Sequence, residues 1–267
     1  MSLPDIWRLD GRVGVVVGGA GALGFDIADA LASAGCELVV TARTVERAGK
    51  AAATLRGRHG VETSGLLLEL ASHDSIARCA EHAREWRGRI DILVNCAGGG
   101  AGVGEPSLFA RAPRDIAATI ATNLLGTIYC CREFAPPMVA QRSGKIINVA
   151  SIAGLIGRDR TLYRRHGVRE PPVDYAAAKA GVLGFTRDLA ASLASDGVQV
   201  NGLSPGGFDK GTLPPAFVSA YAELTPLARM GIVGRDLKGA ALFLASSASD
   251  YITGQNLVVD GGFSVVK

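Results

Sequence analysis

Apolar residues gather along the chain in short unbroken runs: "RVGVVV", "ELVVT", "GLLLEL", "IDILVN", "GKIINVA", "VQVNGLS" and "NLVVD". Most are rich in β-branched residues and bounded by polar or glycine-containing turns, the pattern of strands buried on both faces. Between most of them lie longer stretches, such as "GFDIADALASAG" and "DSIARCAEHAREW", with apolar positions at helical spacing. That period belongs to amphipathic helices. Continuous apolar strands alternating with helices predict an α/β fold, a doubly wound parallel sheet of about seven strands. No linker, repeat or low-complexity tract divides the sequence, so one domain is expected over residues 1–267.

Composition narrows the function classes. The chain has 267 residues, 48% of them hydrophobic, enough to bury a large core. The net charge of +3 gives no overall field for nucleic acid or a membrane surface, and neither partner is expected. The apolar runs fall far short of the ~18 residues a membrane span needs. The start, "MSLPDIWRLDGR", lacks a basic region followed by an apolar one, so no secretory signal is read there. The five cysteines (Cys36, Cys79, Cys96, Cys130, Cys131) are odd in number and form no CxxC pair. Free thiols in a reducing, cytoplasmic setting are expected. The four histidines show no metal-ligand spacing, and no metal is expected.

The first strand runs into "GGAGALG", Gly18 to Gly24, and a helix is expected from about Leu23. Glycines at such a turn let backbone approach a pyrophosphate, and the helix start supplies free N–H groups. Here Gly18, Gly21, Leu23 and Gly24 are candidate cofactor contacts, and the sheet is read as Rossmann-type. The second strand ends "VVTARTVER", with Arg43 where an NAD-selective site usually carries an acid; the first acid is Glu46. A guanidinium pairs with a ribose 2′-phosphate and a carboxylate repels it, so NADP(H) is expected rather than NAD(H). The fourth strand ends "VNCAGGG", Val94 to Gly100, leaving room for a ligand in the crevice beside Ala97 and Gly98.

Tyr175 and Lys179 lie in "VDYAAAKAGVLGF", where spacing i and i+4 puts both on one helix face. A phenol with pKa near ~10 is a poor acid–base at neutral pH, and a cation one turn away is expected to lower it. Tyr163 has no lysine four residues on and sits in a charged segment without helical patterning. Tyr175 is therefore the better proton-transfer candidate, and Tyr163 is expected to line or cover the pocket. Ser151 ends the fifth strand and points toward the same crevice.

These stretches together resemble the short-chain dehydrogenase/reductase family over nearly the whole chain. "VGGAGALG" is similar to that family's TGxxxGxG turn, with Val17 for the threonine and Ala22 for the middle glycine. The Ala22 methyl is expected to shift the turn slightly. "NCAG" resembles the NNAG motif, with Asn95 retained and Cys96 in its second place; Glu69 stands near a position where relatives carry an adenine-contacting aspartate. "TNLLG" supplies Asn123, which by resemblance keeps a helix bulge and a water bound to the lysine. The resemblance thus implies an Asn123–Ser151–Tyr175–Lys179 tetrad, with Lys179 also binding nicotinamide ribose. "VNGLSPGGF" is similar to the nicotinamide-side NxxxPG motif, with Pro205 and Gly206; Lys210 stands about where the family has a threonine. "YITGQNLVVDGGF" resembles a C-terminal strand that packs at a tetramer interface in relatives, which implies a homotetramer.

The implied activity is interconversion of a secondary alcohol and a ketone on a small carbonyl or alcohol substrate. Ser151 and Tyr175 stand 24 positions apart, farther than in close family members. The extra length falls in a basic insert at about 155–172, where relatives wall the substrate pocket. Between 158 and 169 it carries Arg158, Arg160, Arg164, Arg165, His166 and Arg169 against one acid, Asp159. Arginines near a dry pocket suit carboxylate or phosphate. One reading is an acidic substrate such as a sugar acid or keto acid, met by Arg158, Tyr163 and Arg165. The others are solvated or subunit-contacting arginines, or a 3-oxoacyl-(acyl-carrier-protein) reductase docking its acidic carrier. A regulator that binds cofactor without turnover is the alternative from another class. Pro171 and Pro172 are expected to set the next helix start near Asp174.

Overall fold

The structure is a computed structural model and describes residues 4–99 and 104–266. Gly100, the last glycine of the "VNCAGGG" loop, lies outside the described residues. All seven expected strands are present: β1 (Val13–Val17), β2 (Glu37–Ala42), β3 (Thr63–Leu67), β4 (Ile92–Asn95), β5 (Gly144–Val149), β6 (Val198–Pro205) and β9 (Asn256–Val259). They form one parallel sheet in the order β3-β2-β1-β4-β5-β6-β9. A separate parallel pair, β7 (Phe208–Asp209) with β8 (Gly231–Ile232), is too short to carry a sequence signal. The described residues thus form a single-domain α/β fold of the Rossmann type.

The sheet is covered on both faces, and the alternation of side chains explains why. Val16, Val40, Val94, Ile147 and Leu203 enter one core, packed by α1 (Ala22–Ser33) and α10 (Lys238–Ala245). Val15, Val17, Val39, Leu93, Ile146 and Val200 enter the other, which includes residues of α3 (His73–Arg87), α5 (Gly126–Phe134) and α8 (Val173–Leu193). Successive strand residues point to opposite faces, so both faces must be apolar. α2 (Val45–His59) packs beside β2 and β3. A third cluster lies apart from the sheet and joins Ile152 and Leu162 to Phe217 and Tyr221 of α9 (Pro215–Glu223), Met230 and Phe263.

Strand order reverses between β1 and β4, and Val17, Asn95 and Asn148 sit level at their C-terminal ends. A crevice opens at such a reversal. Among the described residues no helix is long and apolar enough to cross a membrane.

Candidate active site

Three helices that follow β1, β2 and β3 begin in two different ways. α2 is capped by Thr44, which accepts from the Arg47 N–H, and α3 by Ser72, which accepts from the Ser75 N–H. Both carry an acid in the first turn, Glu46 and Asp74. α1 has Gly21 at its cap, with no side-chain cap bond and no acid. Its first-turn N–H groups and positive dipole end are therefore left for an external anion. The helix starts at Ala22, so the alanine in place of the family's glycine sits within its first turn.

The glycines of this turn are required by close approach. Gly18 has φ +79°, and a Cβ there would lie 2.8 Å from the Ala97 backbone. A Cβ on Gly24 would lie 2.2 Å from the Gly18 carbonyl. The turn is thereby pressed against the β4 loop, and side chains are kept out of the crevice.

Two adjoining cavities occupy the crevice. The larger, about 490 Å³, runs from Gly18, Ala20 and Gly21 past Thr41, Arg43 and Arg47 to Leu68, Glu69 and Thr122. The smaller, about 250 Å³, is lined by Gly21 to Gly24, Ser151, Tyr175, Lys179, Pro205, Gly206 and Lys210. Both share Gly18, Gly21 and Cys96 to Gly99, so they form one cleft. The glycine cradle, the uncapped helix start and two arginines fit an extended, phosphate-bearing dinucleotide. Arg47 was not singled out in the sequence; it reaches back from α2, its Nη2 donating to the Ala20 carbonyl at 3.4 Å.

Ser151 follows β5, and its hydroxyl accepts from the Ala153 N–H at 3.1 Å. α8 begins one residue after Pro172 and carries Tyr175 and Lys179 on the face toward Ser151. Lys179 is 4% exposed, and its Nζ donates to the Val149 carbonyl at 2.8 Å. Burial brings its pKa down to about 8. Burial pushes the Tyr175 phenol up, while the Ser151 hydroxyl and the Arg158 guanidinium pull it down. The expectation that Lys179 lowers this phenol is not met here. The ammonium is 5.8 Å from the ring centroid and turned to a carbonyl, and desolvation wins.

Two predicted residues stand behind the cleft rather than in it. Asn95 is 4% exposed, and its Nδ2 donates to Asn148 Oδ1 at 2.9 Å, tying β4 to β5. Its side chain is directed into the sheet, a departure from the expected cofactor contact. Asn123 is fully buried in a π-helical turn, Ala121–Leu125, the helix bulge implied by resemblance. Its Oδ1 accepts from the Gly99 N–H at 2.8 Å, and its Nδ2 donates to the Thr119 carbonyl at 3.0 Å. It fixes the loop that forms one wall of both cavities.

The insert differs from its expectation. Tyr163 lies in a short helix, α7 (Arg160–Arg165), which is begun by Asp159 accepting from the Thr161 N–H at 2.8 Å. α7 is held by Leu162, which is buried, and by Tyr163, whose ring lies 5.3 Å from that of Phe217. None of Arg158, Tyr163 and Arg165 lines the two cavities; Arg165 is exposed, and Arg158 lies over the ring of Tyr175, which does line the smaller one. A second unforeseen feature underlies Tyr175. Arg111, with a fully buried side chain, lies 2.9 Å from Asp174 Oδ1 and donates to Asp174 Oδ2 at 3.0 Å and Thr119 Oγ1 at 2.7 Å. This pair pins the start of α8 to α4 (Pro113–Ile120). No spacing rule links residues 111 and 174, so nothing in the sequence signals it.

The described thiols are free, and burial raises Cys79 and Cys131 to about 12 and Cys96, in the cleft, to about 11. None is a thiolate nucleophile near neutral pH. No cluster of three metal-ligating side chains occurs among the described residues.

A doubly wound sheet with a glycine-lined cleft at its switch point defines a dinucleotide-binding class of protein. Residues 18–264 match a family model described as enoyl-(acyl carrier protein) reductase. The 3-oxoacyl-(acyl-carrier-protein) reductase FabG of Aquifex aeolicus is 33% identical over 259 residues, 96% of this chain and 98% of that protein. The 5-keto-D-gluconate 5-reductase of Escherichia coli is 31% identical, over 98% of each chain. A gluconate 5-dehydrogenase from Burkholderia cenocepacia, solved with NADP and tartrate, superposes with TM-score 0.86 at 34% identity and 98% coverage of each chain. The chain belongs to the short-chain dehydrogenase/reductase family. It is an oxidoreductase working between a CH–OH group and a ketone.

Proposed function

We propose that the protein is an NADP(H)-dependent enzyme that interconverts a secondary alcohol and a ketone on a small acidic substrate, such as a sugar acid or keto acid. The observation that carries this reading is the shared cleft: Ser151, Tyr175 and Lys179 line the same cavity as the glycine turn. When bound, the dinucleotide supplies or accepts the hydride.

The side chains account for the proton. Tyr175 gives its hydroxyl proton to the carbonyl oxygen in reduction and takes it back in oxidation. Its raised pKa keeps it protonated at neutral pH, which suits the donor role. Ser151 donates to the same oxygen and holds the carbonyl in line. Lys179, its Nζ held by the Val149 carbonyl and charged below about pH 8, binds the nicotinamide ribose in this reading. Asn123 keeps the Gly99 loop in place and supports the water that returns a proton. Gly18, Gly21, Leu23, Gly24, Ala97, Gly98, Pro205 and Gly206 hold the cofactor, with Asn95 bracing the loop from behind.

NADP(H) is favoured by Arg43 and Arg47 in the larger cavity, with Glu46 on the α2 start as the first acid after β2. The NADP-bound Burkholderia relative supports the same choice. Initial rates with NADPH and NADH over paired acidic and neutral ketones test it. Faster NADPH oxidation on the acidic member supports the reading, and an NADH preference contradicts the cofactor assignment.

A 3-oxoacyl-(acyl-carrier-protein) reductase is the second reading, favoured by the A. aeolicus relative. Turnover of an acyl thioester above that of any short ketone would select it. Binding of NADPH with no turnover on either panel would select a regulator. The protein is further proposed to be cytoplasmic and to assemble as a homotetramer, the assembly being supported by the partly exposed edge strand β9; light scattering tests it.

A further inference from the structure

The insert's arginines do different work. Arg160 donates to the Pro171 carbonyl and lies 3.6 Å from Glu170 Oε2. Arg164 donates to Glu170 Oε1 at 3.2 Å. Arg169 donates to the Gly104 carbonyl. These three fold the insert back on itself and onto the loop before α4. Glu170, one residue past the stretch counted as carrying a single acid, neutralises two of them.

Arg158 stands apart. It is half-buried, and its Cζ lies 5.7 Å from the centroid of the Tyr175 ring. Of the five N–H donors a guanidinium carries, one makes a hydrogen bond among the described residues, from Nη2 to the Pro172 carbonyl at 3.2 Å. Among the described residues no carboxylate forms an ion pair with it, and the nearby Glu170 pairs with Arg160 and Arg164. Its charge pulls down the pKa of both Tyr163 and Tyr175. A guanidinium withdrawn from water without a counter-ion costs free energy. Its planar fork matches a carboxylate.

The geometry points to Arg158 as the specificity-determining residue, receiving a carboxylate of the substrate while Tyr175 meets its carbonyl. This deepens the proposed function and rests on its placement of the reacting carbonyl at Tyr175. The closeness of the two groups calls for a short oxo acid, with its carboxylate only a few bonds from the reacting carbon. A long acyl thioester has no anion at that distance.

Two measurements on the full-length protein test it. Malonate is titrated calorimetrically into the NADPH-loaded wild type, Arg158→Ala, Arg158→Lys and Arg164→Ala. Arg158→Ala is expected to weaken binding about 10- to 100-fold, with Arg158→Lys between and Arg164→Ala as wild type. Failure of the wild type to bind malonate, or equal affinity in Arg158→Ala, overturns the assignment. A short keto acid and its neutral amide are then compared as substrates. The ratio of their kcat/KM values is expected to fall about 10- to 100-fold in Arg158→Ala, mainly through KM for the acid. An equal loss on both compounds, with a displaced pH profile of kcat, overturns it by placing the guanidinium's action on Tyr175 instead. If neither compound is turned over by the wild type, the Tyr175 reading fails, and the malonate titration still decides Arg158.

Discussion

The two ends of the cleft are built from different materials. At the nucleotide end the turn is built of backbone: Gly18 and Gly24 pressed together, and a helix start with no side-chain cap, with Arg43 and Arg47 farther along the cavity. At the substrate end the chemistry is carried by side chains, Ser151, Tyr175 and Lys179, beside an insert that folds on its own arginines and Glu170. A backbone site tolerates almost no substitution, because a methyl group there meets main chain that cannot move. A side-chain site can be retuned one residue at a time, as long as the struts beneath it hold. On the proposed reading, cofactor binding is thereby kept separate from substrate choice.

The largest stability effect is expected beneath the substrate end. Asp174→Ala leaves the Arg111 charge buried and unpaired, and is expected to cost roughly 3–5 kcal/mol in urea unfolding. A cost below 1 kcal/mol would show that the pair is not a strut. At the nucleotide end, Gly24→Ala drives a methyl toward the Gly18 carbonyl. It is expected to cost roughly 1–3 kcal/mol and to weaken NADPH binding measured by fluorescence quenching.

Lys179 lies where the two ends meet, and its substitution is expected to raise stability. The folded pKa of about 8 is below the ordinary lysine value, so the unfolded chain binds more protons between those two values. Burial of the charged ammonium therefore destabilises the fold at neutral pH, and that cost fades as pH rises above 8. Lys179→Met is expected to gain on the order of 2 kcal/mol at pH 7, to gain less at pH 10, and to lose turnover. Melting curves at the two pH values check the sign. The smallest effect belongs to the insert: Glu170→Gln frees Arg160 and Arg164 and is expected to cost under about 1 kcal/mol, since the pairs are partly exposed. Limited proteolysis should cut the insert sooner in that variant.

The same contrast explains what could be read from the sequence. The five inner strands were legible because both faces are buried, which leaves unbroken apolar runs; the edge strands β3 and β9 are partly exposed but keep such a run. The glycine turn was legible because close backbone approach demands glycine at Gly18 and Gly24. α7 was not, because six residues with one buried side chain, Leu162, carry no period. The inward turn of Asn95 and the arrival of Arg47 depend on how neighbouring elements pack. The Arg111–Asp174 pair joins residues far apart in the chain, and Glu170 gains its meaning only once the insert has doubled back.

The most direct measurement of the central claim compares NADPH binding with turnover in Tyr175→Phe. NADPH affinity within a few-fold of wild type, with ketone reduction reduced at least about 1000-fold, is the predicted result. Retained turnover in that variant, or loss confined to Tyr163→Phe, would contradict it.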